Sequence, residues 1–153
     1  MPYLQGDDPL PDDCLFCIKP EEPDSEAHIL CRDELCYVML NRFPYNNGHL
    51  MIAPYAHVAS LEDLDADTAL ELMALTQLSL EVLRKAYDPE GFNVGANIGA
   101  AAGAGVEDHV HMHVVPRWTG DTNYMTSLGK TRVIPEWMHE VYERLRPIFD
   151  QLR

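Results

Sequence analysis

The sequence is poor in positive charge. It has 11 lysines and arginines against 25 aspartates and glutamates, which gives a formal net charge of -14 at pH 7. Binding to nucleic acid or to an anionic membrane needs a basic surface, so we expect neither partner. A small anionic ligand is compatible with this charge, because backbone N–H groups and a few local cations can hold it.

Long apolar runs are also missing, and none approaches the roughly 20 residues that cross a bilayer. Residues 1–13 are acidic, carry three prolines and lack the apolar centre of a signal peptide. We therefore interpret residues 1–13 as an acidic N-terminal arm, residues 14–153 as one domain, and the protein as cytoplasmic. In that compartment we expect the four cysteines to be thiols or metal ligands rather than disulfides.

Turn residues and hydrophobic periodicity divide the domain into strands and two long helices. The predicted strands are 28–31, 35–40, 49–54, 92–97 and a histidine-rich strand over 109–118. The predicted helices run from Asp65 or Asp67 to about Tyr87, with Leu70, Met73, Leu80 and Leu83 on the apolar face, and from Pro135 to about Leu152. This order predicts an α+β fold with a mainly antiparallel sheet, not a regular βαβ alternation.

Three of the seven histidines stand in the stretch His109-Val110-His111-Met112-His113. Alternation at period two predicts a strand with the three histidines on one face. His109 and His113 would then lie roughly 13 Å apart, too far for one ion to bind all three. Two neighbouring histidines could still bind a metal with the preceding Glu107 and Asp108, and a purely structural strand is a further alternative.

Nucleophilic catalysis is another interpretation of the histidine strand. A neutral imidazole can attack phosphorus, and a second histidine can protonate or orient the leaving oxygen. The nucleophile then needs a fixed acceptor for its other ring nitrogen. The small-residue loop Gly99–Gly105, which contains Gly103 and leads into the strand, could bring backbone N–H groups close to a phosphate.

Cys14 and Cys17 form a Cys-x-x-Cys pair. One such pair is half of a zinc site, so two further ligands would be needed. A redox pair is disfavoured because the thioredoxin-like βαβ pattern is absent. Plain buried cysteines are the third possibility.

Two segments match a known family. His109-Val-His-Met-His-Val-Val115 fits the pattern His-φ-His-φ-His-φ-φ, where φ is apolar, and Asn41 to Pro54 is similar to the family's Asn-x-x-Pro-x-x-x-Gly-His segment with the strand that follows. On these residues the chain resembles the histidine triad (HIT) superfamily, over about Cys14 to Asn123. The Asn-Arg-x-Pro-Tyr segment and the tail 116–123 look more like fragile-histidine-triad-type bacterial diadenosine polyphosphate hydrolases and phosphorylases than like the phosphoramidase branch.

The resemblance implies a HIT fold and a homodimer with a continuous ten-stranded sheet. It implies that His111 attacks the α-phosphate of a dinucleoside polyphosphate, giving a nucleotidyl-histidine, and that His113 contacts the phosphate and helps the leaving group. Substrate-binding positions would be Asn41 at the nucleoside, His49 as a supporting histidine, and Asn97 with Gly103 and Gly105 at the phosphates.

The resemblance also implies a structural zinc, with Cys14, Cys17, His57 and His109 as ligands. His109 would then serve the metal, separately from catalysis. One departure is Gly105-Val106-Glu107-Asp108, where many family members have Gly-Gln-Ser or Gly-Gln-Thr. It leaves three alternatives open: a hydrolase, a phosphate-dependent phosphorylase, and a nucleotide-binding module with little turnover.

Overall fold

The computed structural model describes residues 13–121 and 137–153. The strands are β1 (Ile29–Arg32), β2 (Cys36–Leu40), β3 (Leu50–Pro54), β4 (Gly91–Gly95) and β5 (Met112–Arg117). The helices are α1 (Leu15–Ile18), α2 (Asp24–Ala27), α3 (Ala66–Tyr87) and α4 (Met138–Leu152), with short 3-10 turns at Lys19–Glu21, Leu61–Asp63 and Ala100–Ala102. Nearly all of the predicted acidic arm lies outside the described residues.

The five strands form one sheet in the order β1-β2-β3-β5-β4, and each neighbouring pair is antiparallel. The predicted α+β class with an antiparallel sheet is confirmed. The order arises because α3 connects the meander β1-β2-β3 to the hairpin-like pair of β4 and β5. Among the described residues, none of the helices combines the length and apolar character that spanning a bilayer requires.

Side chains alternate between the two faces of the sheet. One face packs against α3 and α4 and contributes Val38, Ile52 and Val114 to the larger core. The opposite face contributes Tyr37 and Met51, among others, to a smaller core that includes residues of α1. His113 pairs with Met51, so it lies on this second face, opposite the long helices.

The long helix α3 begins as predicted, because the Asp65 carboxylate accepts a hydrogen bond from Thr68 N at 2.8 Å. The predicted apolar face is partly wrong, since Leu70 is 71% exposed and Met73 is 50% exposed. The buried stripe instead follows helical spacing through Thr68, Leu72, Leu75, Ser79, Val82 and Leu83. Apolar residues occur around much of this helix, so the sequence left its orientation ambiguous.

The C-terminal helix α4 begins at Met138 after the N-cap Trp137, three residues later than predicted; Pro135 lies outside the described residues. Its Arg146 donates to Asp24 at 2.8 Å, and Arg32 of β1 donates to the same carboxylate at 2.7 Å. Burial alone would raise the pKa of Asp24, but the hydrogen bonds from Arg146 and Arg32 outweigh it and lower the pKa. These ion pairs fasten the N-terminal segment, which carries the Cys-x-x-Cys pair, to the sheet and to α4.

Candidate functional site

The histidine stretch joins the sheet later than predicted. The first ladder pair of β5 is Ile52 with Met112, so His109 and His111 precede the strand. Their backbone is held instead by Val110, whose N–H donates to Val58 O at 2.7 Å. The ladder between β3 and β5 stops at Ile52, although β3 itself continues to Pro54 and there still pairs with β2.

His111 is buried and has a defined tautomer. Its Nδ1 lies 2.9 Å from the carbonyl oxygen of His109, so Nδ1 carries the proton and donates it. Burial, with a smaller contribution from His113, lowers the pKa of His111 to about 4. At neutral pH the ring is therefore uncharged, and Nε2 has a free lone pair.

His113 is linked to His49 by a directional chain of hydrogen bonds. Tyr45 N donates to Nδ1 of His49 at 3.1 Å, so the proton of His49 is on Nε2. That Nε2 lies 2.8 Å from Nδ1 of His113 and donates to it. The proton of a neutral His113 is consequently on Nε2, the nitrogen that remains available to a ligand.

These two rings are also held neutral by their surroundings. Burial and the neighbouring His113 and His111 lower the pKa of His49 to about 3, and burial lowers the pKa of His113. The His111 and His113 rings are in contact, with centroids 4.7 Å apart. The site thus places a lone pair on His111 beside an N–H donor on His113.

Asn41 lies beside this chain at the end of β2. Its Oδ1 accepts from Phe43 N at 2.9 Å, and its Nδ2 lies 3.4 Å from each ring nitrogen of His49. The side chain is 9% exposed. The structure brings Asn41 to the supporting histidine, and its predicted contact with a nucleoside stays a prediction.

Asn97 and the small-residue loop follow β4. The ladder ends with Gly95 opposite His113, two residues before the predicted end of the strand, and the predicted role of Asn97 at the phosphates stays a prediction. Within the loop, the N–H of Gly103 donates to Ala100 O at 3.0 Å. The predicted roles of Gly103 and Gly105 at a phosphate stay predictions.

The four predicted metal ligands lie together. The possible ligand atoms of Cys14, Cys17, His57 and His109 are all within 4.8 Å of one another. The Nδ1 atom of His109 is 3.4 Å from Cys14 Sγ, 3.6 Å from Cys17 Sγ and 3.3 Å from His57 Nδ1. Tetrahedral zinc bonds would place sulfur roughly 3.5 Å from nitrogen and the two nitrogens roughly 3.3 Å apart.

His109 also has the tautomer that a metal ligand needs. Its Nε2 lies 2.8 Å from the carbonyl oxygen of Pro54 and donates to it, which leaves the Nδ1 lone pair facing the cluster. The cluster could hold a metal ion. The alternative was a metal site formed by triad histidines with Glu107 and Asp108. Within the described residues, these side chains do not come together as a group of metal ligands.

Sequence reasoning missed two aromatic residues of the site. Phe16, between the two cysteines, has its ring 4.3 Å from His111 and 5.3 Å from His109. Tyr45 is 66% exposed and stacks nearly parallel to His113, with centroids 6.3 Å apart. Phe16 lies within the Cys-x-x-Cys motif, and Tyr45 lies within the segment from Asn41 to Pro54. These positions were the available signal, but neither motif assigns a role to its aromatic residue.

The sequence model of the HIT domain matches residues 22–120. The chain belongs to the HIT family. Among curated relatives, the AP-4-A phosphorylase of Mycobacterium tuberculosis is 46% identical over 121 residues, which are 79% of this chain and 62% of that protein. This chain thus spans about three fifths of that relative's length. The adenosine 5'-monophosphoramidase hnt1 of Schizosaccharomyces pombe is 31% identical over 104 residues, 68% of this chain and 74% of that protein.

Solved structures of the HIT family share the fold. A Zn-bound histidine triad family protein from Mycobacterium smegmatis has a TM-score of 0.73 and 26% identity, covering 94% of this chain and 97% of that one. A protein from Sulfolobus tokodaii described as a hypothetical histidine triad nucleotide-binding protein has a TM-score of 0.72 and 28% identity, covering 91% of this chain and 93% of that one. The HIT fold expected from the two motifs is confirmed.

Proposed function

We propose that this HIT protein is an enzyme that cleaves dinucleoside polyphosphates, of the diadenosine tetraphosphate type, at the α-phosphate through a nucleotidyl-histidine on His111. The observation that carries the proposal is the hydrogen bond from His111 Nδ1 to the His109 carbonyl, which leaves Nε2 as a neutral nucleophile. Family membership and the similarity to a protein named AP-4-A phosphorylase support a nucleotide substrate.

In the first step, Nε2 of His111 forms a bond to the α-phosphorus while the bond from phosphorus to the bridging oxygen breaks. The Nε2–H of His113 donates a hydrogen bond to that leaving oxygen and stabilises its negative charge, and the rest of the polyphosphate departs as an anion. In the second step a water or a phosphate attacks the nucleotidyl-histidine and the P–N bond breaks. When water attacks, its proton is released to solvent, the electron pair of the P–N bond returns to Nε2 of His111, and both rings keep their starting tautomers.

The similarity to AP-4-A phosphorylase supports inorganic phosphate as the second acceptor. The products separate the two reactions: diadenosine tetraphosphate gives ATP and ADP with phosphate, but ATP and AMP with water. The departure at Glu107 and Asp108 supports a third possibility, a binding module that holds the nucleotide without turning it over.

The test compares wild type, His111→Ala and His139→Ala with diadenosine tetraphosphate, with and without phosphate. His139 is an exposed histidine outside the site, so its variant controls for loss of a histidine. We expect wild type and His139→Ala to form an adenylyl-histidine in rapid-quench mass spectrometry, and His111→Ala to lose the adduct and turnover. Turnover by His111→Ala near the wild-type rate would exclude the mechanism, and nucleotide binding by wild type without an adduct would support the binding module.

We further propose that the Cys14, Cys17, His57 and His109 cluster holds a structural zinc ion. Two thiolates and two imidazoles are a common zinc donor set, and their separations suit a tetrahedral ion. The similar Mycobacterium smegmatis protein is described as Zn-bound. A closed four-ligand zinc supplies a rigid cross-link rather than a catalytic water, so the chemistry stays with His111 and His113.

We propose that the protein is a homodimer in which two copies of β4 extend the sheet to ten strands. In the described part of the chain, β4 is an edge strand, and an edge strand is a template for pairing. Its Val94 is 45% exposed, and Ile98 just beyond it is 40% exposed. Light scattering is expected to give twice the chain mass of 17.3 kDa, and Val94→Lys is expected to shift the protein to monomer.

A cytoplasmic location is also proposed. All four cysteines are free thiols in the structure, and two of them belong to the proposed zinc site. A reducing compartment keeps such thiols available as ligands.

A further inference from the structure

Phe16 packs directly against the proposed nucleophile. Its ring centroid is 4.3 Å from that of His111, and the two planes are inclined by 31°. Phe16 is 1% exposed, so its ring offers no surface to a substrate. Its contact with His111 is therefore a contact within the protein, behind the site.

The backbone around Phe16 is fixed independently of His111. Its carbonyl oxygen accepts a 2.7 Å hydrogen bond from the Tyr37 hydroxyl, which comes from the centre of β2. Cys17 N donates to Cys14 O at 3.0 Å, closing the turn that contains Phe16. These two hydrogen bonds fix the backbone of the short segment that carries the phenyl ring.

His111, by contrast, has few restraints of its own. It precedes β5 and lacks a ladder partner, and within the described residues its side chain makes one hydrogen bond, from Nδ1 to His109 O. One hydrogen bond fixes the direction of Nδ1 but allows the ring to turn about that bond. The packed faces of Phe16 and His113 limit that rotation.

We propose that Phe16 is a positioning residue, whose ring holds the plane of the His111 imidazole so that Nε2 points at the α-phosphorus. This inference rests on the proposed function of His111. Phe16 touches neither substrate nor reacting atoms, and it acts through the orientation of His111. Displacing a nucleophile by about 1 Å can slow a reaction about 100-fold, so a small rotation is enough to matter.

The proposal makes the Cys14–Cys17 segment part of the catalytic scaffold. The two cysteines flank Phe16 in sequence, and their sulfurs lie against His109, two residues before the nucleophile. The segment Cys14–Cys17 therefore supplies two candidate metal ligands on one side and, on the other side, the ring of Phe16 that orients His111.

The test uses the full chain with Phe16→Leu, and Phe16→Met as a second variant that keeps apolar volume without a ring. Phe149→Leu is the matched control, because Phe149 is also fully buried but belongs to the core under α4, on the opposite side of the sheet. We expect both Phe16 variants to slow single-turnover formation of the adenylyl-histidine at least about tenfold, while the dissociation constant for AMP changes less than about threefold. Phe149→Leu is expected to lower the melting temperature but to keep the rate within about twofold of wild type.

A second readout does not depend on activity. Long-range ¹H–¹⁵N spectra report which nitrogen of His111 carries the proton, and wild type is expected to show the Nδ1–H tautomer alone. A folded Phe16 variant is expected to show a second tautomer or a second set of ring signals, which Phe149→Leu does not show.

The two failures are distinguishable. If wild type forms no adduct, the proposed function fails, and the His111 ring spectrum alone decides whether Phe16 positions it. If wild type forms the adduct and a folded Phe16 variant forms it within twofold of the wild-type rate, the positioning role is overturned. An equal loss of rate in Phe149→Leu would also overturn it, because the effect would then be general loss of core packing.

Discussion

Nε2 of His49 lies 2.8 Å from Nδ1 of His113, and the other nitrogen of His49 accepts the N–H of Tyr45. A neutral imidazole has one N–H, so each ring can donate only one hydrogen bond. The backbone N–H of Tyr45, in the loop before β3, therefore determines the tautomer of His49 and, through it, the tautomer of His113. The consequence is an N–H donor on His113 beside the lone pair of His111. His49 is therefore expected to matter for the step in which negative charge develops on the leaving oxygen.

Replacing His49 with Phe is expected to slow cleavage of diadenosine tetraphosphate by about 10- to 100-fold, because His113 loses the donor that fixes its proton on Nε2. The loss should be much smaller with adenosine 5'-phosphorofluoridate, since fluoride is a weaker base than the polyphosphate oxygen and needs less help from a hydrogen-bond donor to leave. Steady-state kinetics with both substrates measures the difference, and His139→Phe controls for replacement of an exposed histidine. An equal loss with both substrates would mean that His49 holds the site together but does not direct the proton.

The sequence predicted much of the fold because the deciding signals are local. Short apolar runs bounded by turn residues located β1, β2 and β3, and the cap of α3 was expected at Asp65 or Asp67, of which the structure has Asp65. The extent of β5 was not predictable in the same way. It depends on where β3 loses contact with it, which is a tertiary property of Ile52 and Met112.

The membership of the candidate metal cluster was predictable from the sequence, but the proton arrangement of the histidines was not. Cys14 and Cys17 were identified from their Cys-x-x-Cys spacing. His57 was identified from the family resemblance, and the structure places it beside the two cysteines. The tautomers of His111 and His113 depend on the carbonyl of His109 and the N–H of Tyr45. Backbone groups carry no side-chain signature, so a residue pattern cannot reveal them.

Removal of one cysteine ligand is expected to abolish metal binding. Cys14→Ala leaves three of the four ligands, and we expect zinc to fall from about one equivalent per chain to less than about half an equivalent. Cys31→Ala is the matched control, since Cys31 is similarly buried, at 3% exposure against 1% for Cys14, but lies outside the cluster. Elemental analysis after expression in zinc-replete medium gives the result. Wild type with less than half an equivalent would contradict the four-ligand site.

Acid is expected to destabilise the fold through its buried neutral histidines. His49 has a pKa of about 3 in the fold, lowered by burial and by the neighbouring His113 and His111, against 6.5 for an unperturbed histidine. Below pH 6.5 the unfolded chain therefore binds a proton that the folded chain excludes, and stability is lost as the pH falls from about 6.5 towards 3. Each such histidine lowers the free energy of unfolding by up to about 1.4 kcal/mol for each pH unit over this range.

Urea unfolding of wild type and His49→Phe between pH 7 and pH 4.5 measures this effect. We expect the free energy of unfolding of His49→Phe to fall less steeply with pH, by the contribution of about one proton. The matched variant His139→Phe, at an exposed position, is expected to keep the wild-type slope. Parallel slopes for wild type and His49→Phe would mean that His49 is not held neutral in the fold.

Gly48, directly before His49, is expected to tolerate no side chain. Its φ is +79°, and a Cβ there would lie 3.1 Å from both Leu83 and Tyr87 of α3 and 3.3 Å from Pro116. A left-handed backbone costs a non-glycine residue roughly 1–2 kcal/mol, and crowding against packed neighbours costs roughly 1–3 kcal/mol more. Gly48→Ala should therefore lower the free energy of unfolding by about 2 kcal/mol or more and weaken the Tyr45–His49 hydrogen bond that sets the proton of His113.

Gly91→Ala supplies the control for this prediction, because a Cβ at Gly91 meets nothing within 4 Å. Urea unfolding should place Gly91→Ala within about 0.5 kcal/mol of wild type, as for most surface changes. Since Gly48 fixes the chain that leads into His49, Gly48→Ala should also lose activity under conditions where it is still fully folded. Wild-type stability and activity in Gly48→Ala would show that α3 can move aside, and that its packing does not fix the loop that positions His49.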